Sequence, residues 1–321
     1  MSGKWKSAIL AVILVIGLPR LIYAFLSIMN IENEFAIIES EYPIDITLPN
    51  IIHVSTNDGV VSMDIDEYLI GVLLCEIPGE FHLEAQKAQA VVARTYAMQT
   101  TLFKNKHKDN AICTDPGCCQ GYFDLEDFLL AGGNQKRIDI ATEAVKDTQG
   151  QVLIYEGNLI DATYFSCSGG KTEDAVAVWG EAVPYLQSVS SPGEEGCAYY
   201  QDSVVFSAEE FQNILGHNLQ GTPGSWFGTI NYTRGGGVES IRIGGILYTG
   251  TNLRSLFGLR STAFTITTLN DTITITTKGF GHRVGMSQYG ANAMALLGEK
   301  YPAILAHYYP GTVIDKGNFI G

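Results

Sequence analysis

A mixed α+β fold is predicted for this chain of 321 residues by three observations. Strongly helix-forming sequence fills the first half, above all the alanine-rich stretch Leu83 to Phe103. Alternating apolar runs broken at Gly244-Gly245 and Asn270-Asp271 fill the second half and read as hairpins. The last 40 residues carry a glycine-rich loop and two further helices. Helices before and after antiparallel hairpins give an α+β class, with helices packed on the hairpins around a substrate groove.

Composition supports a folded chain of one or two domains: 46% of residues are hydrophobic and 17% charged, enough for a sizeable core. The 35 glycines gather in the C-terminal half, where tight turns are expected. A net charge of −14 and a pI near 4.8 argue against nucleic acid as a partner, because phosphate binding needs clustered Lys and Arg. A neutral or mixed-charge polymer suits this surface better.

Residues 1–29 read as a signal anchor. Lys4 and Lys6 precede an apolar run from Ser7 to Ile28, long enough to cross roughly 30 Å of hydrocarbon as a helix. The positive-inside rule keeps the lysines in the cytoplasm and sends the rest of the chain outward. Pro19-Arg20 interrupts the run at a cost of roughly a few kcal/mol, and a cleaved signal peptide is the alternative, although no clear small-x-small site follows. Both readings export the protein; the anchored one makes it single-pass, with its functional domain outside the membrane. Residues 30–48 form a polar linker, and 49–321 the folded domain.

Within that domain Val60 to Ile65 alternates as a strand. Asp64-Ile-Asp-Glu-Tyr68 then caps a helix running to about Cys75, which Pro78-Gly79 stops. A long helix covers Leu83 to Phe103 and another Arg137 to Lys146. Gln151 to Tyr155 and Leu159 to Phe165 form a hairpin about Glu156-Gly-Asn158. Ser207-Ala-Glu-Glu210 is a capping box for a short helix closed by Gly216. Val238–Ile243 with Ile246–Tyr248, and Ala263–Thr277 broken at Asn270-Asp271, are two more hairpins.

Four groups of residues carry chemistry. Glu76 sits among apolar neighbours in Leu74-Cys-Glu-Ile-Pro78, a turn and a loop ahead of the long helix. Lys87 and Arg94, seven apart, share one face of that helix, and Glu76 is expected to fold back toward it. Solvated surface charges are the plainer reading. The loop Tyr164-Phe-Ser-Cys-Ser-Gly-Gly-Lys171 offers Tyr164, Ser168 and Lys171 as donors, with Trp179 as a flat face for a sugar; a plain turn explains it as well. Gly279-Phe-Gly-His-Arg-Val-Gly-Met-Ser-Gln288 presents His282 and Gln288, against the alternative of a packed histidine.

The fourth group is His107, Cys113, Cys118 and Cys119. Three thiols and an imidazole make a tetrahedral zinc set, whereas a Cys113–Cys118 or Cys113–Cys119 disulfide is the alternative in an exported chain. Cys167 and Cys197 are a further candidate disulfide, and Cys75 is expected to be buried and free.

Taken together, CysGluIlePro…GluAlaGlnLysAlaGlnAlaValValAlaArgThrTyr (75–96), SerCysSerGlyGlyLysThrGlu with ValTrpGly and ProTyrLeu, and GlyPheGlyHisArgValGlyMetSerGlnTyrGlyAla with HisTyrTyrProGlyThr resemble the stage II sporulation protein D family, which is related to amidase enhancer proteins. Gln86 replaces an expected leucine, and Arg283 stands where glycine is common.

The resemblance implies a peptidoglycan lytic transglycosylase of forespore engulfment, anchored in the engulfing mother-cell membrane. Its acid would be Glu76, with Lys87 and Arg94 needed beside it. Partners implied are peptide-stripped glycan strands, a membrane cell-wall amidase and other engulfment proteins. It also implies a structural zinc on His107, Cys113 and Cys119, with Cys118 where relatives carry histidine. A non-catalytic glycan-binding module that enhances an amidase is the alternative. A zinc hydrolase is disfavoured, since no HExxH set is present.

Overall fold

The computed structural model describes residues 47–56, 59–104 and 106–320. The expected anchor and nearly all of the expected linker lie outside the described residues. Among those described, no helix is long and apolar enough to cross a membrane. The class is α+β, as the sequence predicts, with small antiparallel sheets and several helices.

Strand β1 (Thr47–Pro49) pairs in parallel with the final strand β16 (Asn318–Ile320) and buries Leu48 completely. The fold therefore begins inside the stretch expected to be linker. Strands β2 (Ile51–Thr56) and β3 (Gly59–Asp64) form a hairpin, to which β4 (Ile112–Cys113) adds in parallel. The Asp64 carboxylate ends β3 and caps α1 (Ile65–Glu76), accepting from the N–H groups of Asp66 and Glu67. Asp66 and Glu67 also place negative charge at the positive end of the helix.

Helix α2 (Leu83–Gln99) contributes to two of the hydrophobic cores. Thirteen of its 17 residues are buried, so it packs on both sides, and the alanines at 85, 88, 90, 93 and 97 let its neighbours approach closely. One side meets α1 and, beyond the short α3 (Leu125–Leu130), α4 (Gln135–Asp147); the other meets β5 (Gln151–Tyr155) and the C-terminal helices. The α-helix ends at Gln99, four residues before the expected Phe103, and continues as a π turn over Thr100–Lys104. There the Thr101 hydroxyl donates back to the Ala97 and Met98 carbonyls, competing with the regular ladder.

Strand β5 pairs with β6 (Asn158–Leu159), but the expected partner strand to Phe165 is cut short. Residues 164–165 are a separate strand, β7 (Tyr164–Phe165), paired in parallel with β14 (Met286–Ser287). That pairing brings the second and third sequence motifs together. After α5 (Ala175–Trp179), strand β8 (Gln201–Ser207) leads into α6 (Ala208–Leu215), which has the predicted capping box and ends at Gly216 in the left-handed region, φ 80°. Strands β9 (Phe227–Tyr232), β10 (Val238–Ile243) and β11 (Ile246–Thr249), helix α7 (Gly250–Leu256), and strands β12 (Phe264–Leu269) and β13 (Thr272–Lys278) complete two antiparallel sheets around Phe211, Trp226, Ile241 and Ile273. Helices α8 (Gln288–Leu296) and α9 (Tyr301–Tyr308) return to α2, and β15 (Val313–Lys316) covers the free edge of β5.

Candidate functional site

The chain folds the end of α1, the π turn after α2, strand β7 and the start of α8 around one cleft of about 580 Å³. Glu76, the last residue of α1, lines it together with Tyr164, His282 and Gln288. Glu76 Oε1 accepts from the backbone N–H of Gly121 at 2.6 Å. Burial pushes the Glu76 carboxyl up from its ordinary value, against the opposing pull of the Gly121 N–H, the Tyr164 hydroxyl and the Gln288 amide. Its place at the carbonyl end of a helix acts in the same sense as burial. Desolvation, which the sequence could not rank against nearby charge, is thus the larger effect.

The donors around the carboxyl are held from behind. Gln120 is wholly buried; it accepts from the Tyr68 hydroxyl at 3.3 Å and donates to the Tyr164 oxygen at 3.1 Å. Because the Tyr164 oxygen accepts there, its own hydrogen is free to face Glu76. Burial, and then the Glu76 charge, hold the Tyr164 phenol far above its ordinary value, so it remains a donor. Gln288 opens α8 and is 5% exposed; its Nε2 has no hydrogen-bond partner of good geometry among the described residues.

His282 packs edge-on to Phe165 and tilts against Trp179, ring centroids 5.7 and 5.4 Å away. Its Nδ1 accepts from the Val284 N–H at 3.1 Å, which assigns the ring proton to Nε2. Burial, with a smaller push from Arg254, lowers it to about 4. His282 is therefore a neutral ring in the cleft wall at physiological pH.

Lys87 and Arg94 do share one face, but that face meets α4 rather than the cleft. Arg94 is fully buried; it donates to the carbonyls of Val145, Thr148 and Gln151 and pairs with Asp66 at 3.0 Å. Lys87 pairs with Asp147 at 2.8 Å and Glu84 at 3.4 Å. Neither lines the cleft, so the expectation that they flank Glu76 is corrected. Helical spacing defined their common face but not the partner helix it packs on.

Two expected sugar-binding residues are likewise elsewhere. Ser168 is fully buried, and its hydroxyl and N–H both donate to Glu194 Oε2 at 2.8 Å. Lys171 donates to the Arg234 carbonyl at 2.7 Å. Their loop is a structural seam: Glu194 also accepts from Ser191 and Ser287, and the thiol of Cys167 donates to it. Cys167 and Cys197 are both free thiols, not the expected disulfide. Cys75 is free as expected, but exposed rather than buried.

His107, Cys113, Cys118 and Cys119 meet beside the cleft, their candidate ligand atoms all within 4.8 Å of one another. His107 Nε2 lies 3.5 Å from Cys118 Sγ and 3.4 Å from Cys119 Sγ. A tetrahedron with Zn–S and Zn–N bonds of about 2.3 and 2.0 Å has N···S edges of roughly 3.5 Å, so the donor set and its spacing fit a closed metal site, and all three cysteines are free.

Sequence reasoning missed Gly121, whose only signal is its place two residues after Cys119, and the cleft-lining pair Lys104–Asp161, bonded at 2.7 Å. It also missed Phe280, hidden between the glycines of a motif read for its histidine.

Comparison with known proteins bears on this geometry. The family pattern described as "Stage II sporulation protein" matches residues 55–155. The chain is 38% identical over 269 residues to stage II sporulation protein D of Bacillus subtilis, covering 82% of this chain and 78% of that one. It is 33% identical over 266 residues to an uncharacterised protein of Brachyspira hyodysenteriae, covering 81% and 68%. It is also 30% identical over 307 residues to the amidase enhancer of Bacillus subtilis, covering 77% of this chain and 40% of the other.

Proposed function

Because the chain belongs to the stage II sporulation protein D family, a family involved in sporulation, we propose that it is a lytic transglycosylase that cuts peptidoglycan glycan strands between MurNAc and GlcNAc. The products would end in 1,6-anhydro-MurNAc. The observation that carries this reading is Glu76 in the cleft wall, its carboxyl raised by burial yet faced by donors.

One carboxyl is enough for this reaction. Glu76, protonated, gives its proton to the glycosidic oxygen; as carboxylate it takes the proton of the muramic C6 hydroxyl, which closes on C1. Burial favours the acid form needed first. The Gly121 N–H, with Tyr164 and Gln288, stabilises the carboxylate that exists only after proton transfer, so these donors act where charge develops. Lys87 and Arg94 serve as positioning residues, fixing α2 against α4 and α1.

In the same proposal the cysteine–histidine cluster holds zinc. With four protein ligands no position is open to substrate, so the ion would brace the segment leading to Gly121. Peptide-stripped strands as substrate, a membrane amidase as partner, and an anchored domain outside the cytoplasm belong to the proposal as well.

A second reading has one observation in its favour: Asp161 is another carboxylate lining the cleft. An inverting hydrolase would use it as base, but its pairing with Lys104 at 2.7 Å occupies it. The similarity to an amidase enhancer supports a third reading, glycan binding without cleavage. Mass spectrometry of strands treated with the full chain separates them. Anhydro ends support the proposal, reducing ends the hydrolase, and intact bound strands the binding module.

A further inference from the structure

Phe280 is 41% exposed and Trp179 48% exposed, and both line the cleft. Large aromatic rings left half in water at a cleft call for an explanation, because burying them is worth more than exposing them. Trp179 is backed by His282 and sits where α5 ends at Gly180, φ 81°.

Phe280 is held out more elaborately. Its N–H donates to the Cys167 carbonyl at 2.7 Å; the neighbouring Gly279 and Gly281 N–H groups donate to Tyr200 and Arg260 carbonyls at 2.9 and 3.0 Å. Both flanking glycines have positive φ, 77° and 108°, and a Cβ on Gly279 would lie 2.7 Å from the backbone of residues 167 and 168. The glycines thus let the chain press against the segment that follows β7, which fixes the backbone carrying the Phe280 ring.

Behind it, Tyr199 stacks on Phe280 at 5.3 Å and 29°, Arg260 lies over the Tyr199 ring at 5.6 Å, and Asp202 fixes Arg260 at 2.9 Å. A ring pinned by backbone bonds and braced by a stacked series is pre-organised, which lowers the entropic cost of binding on it.

We propose that Phe280 is a second pyranose-stacking surface, braced by Tyr199 and Arg260, which receives a sugar ring of the strand whose other contacts include Trp179. The inference rests on reading the cleft as a glycan site and adds a residue that grips the strand in the cleft that Glu76 lines. Its flat face would meet the axial C–H groups of a β-1,4-linked N-acetylhexosamine.

The test is calorimetric titration of the full chain in detergent micelles with chitotetraose, in a Glu76→Gln background that prevents turnover. Phe280→Ala and Phe280→Leu should each weaken binding by about 2- to 10-fold, whereas Phe280→Trp should match or exceed the parent. Arg260→Gln should weaken it by a smaller factor. Leucine keeps apolar volume without a flat face, so a leucine variant that binds like the parent overturns the proposal even if the alanine variant fails to fold. A parent that binds no chitotetraose overturns it too. Strand cleavage is read separately: anhydro ends with unchanged affinity in Phe280→Leu defeat only this proposal, and reducing ends with lost affinity defeat only the transglycosylase reading.

Discussion

The backbone N–H of Gly121 donates to Glu76 Oε1 at 2.6 Å, so the side chain proposed as the acid is aimed by a residue 45 positions away. A Cβ on Gly121 would lie 2.7 Å from Cys75 Sγ and 3.1 Å from Glu76 Oε1. Gly121→Ala should therefore displace the carboxyl and lower strand cleavage by about 10- to 100-fold, the worth of a hydrogen bond to a charged group. Overpacking should cost only about 1–3 kcal/mol of stability. Product formation and urea denaturation, measured on the same variant, check both; cleavage at the wild-type rate would show that this contact does not aim the acid.

Arg94 and Lys87 should separate by mechanism. Arg94→Ala leaves three carbonyls and Asp66 without their cation in a buried place and should cost about 3–5 kcal/mol. Lys87 pairs with the half-exposed Asp147 and with Glu84, and Lys87→Ala should cost about 1 kcal/mol or less. Loss of cleavage in Arg94→Ala should track its melting curve. An Arg94→Ala protein that melts like wild type yet is inactive would mean that the guanidinium meets the substrate.

Metal removal should reach the acid through the backbone. Cys119 is a candidate ligand, and Gly121 follows two residues later. Purified chain should carry close to one zinc by elemental analysis, and Cys113→Ser should lose it. Chelation should lower the melting temperature and cleavage together. Full activity in a metal-free chain would contradict a zinc brace.

The raised Glu76 carboxyl has a definite stability signature. Its folded value lies above its unfolded one, so the native state holds this proton to higher pH. The penalty for ionising it is absent below the unfolded value, grows as pH rises to the folded value, and is complete above it. Glu76→Gln should thus melt higher than wild type at neutral pH, with the difference vanishing in acid. Thermal scans from pH 3 to 8 measure this; a neutral-pH melting temperature below wild type would place the carboxylate in a stabilising environment instead.

Much of the fold was legible because its signals are local. The Asp64 cap, the Ser207 capping box, the hairpins at Gly244-Gly245 and Asn270-Asp271 and the alanine helix all follow from neighbouring residues. The parallel pairings β1–β16, β2–β4 and β7–β14 were not, since each joins two or three residues far apart in sequence. The site divided in the same way. Glu76, Tyr164, His282 and Gln288 line one cleft, and the cysteines and histidine form one cluster. Lys87 and Arg94 do not line the cleft, because periodicity gives a face without naming what covers it; Ser168 and Lys171 do not, because a loop's residue types do not say which groups, here Glu194 and the Arg234 carbonyl, take their donors. Arg283, where the resemblance expected glycine, takes φ 66°. Its guanidinium donates to the Ser168, Lys171 and Gly235 carbonyls, which offsets the conformational cost.

Mass spectrometry of peptide-free glycan strands incubated with the full chain and with its Glu76→Gln variant decides whether Glu76 is the acid of a lytic transglycosylase. The wild type should yield 1,6-anhydro-MurNAc ends and the variant none. Reducing ends from the wild type, or anhydro ends undiminished in Glu76→Gln, would show that Glu76 is not the acid of such a reaction.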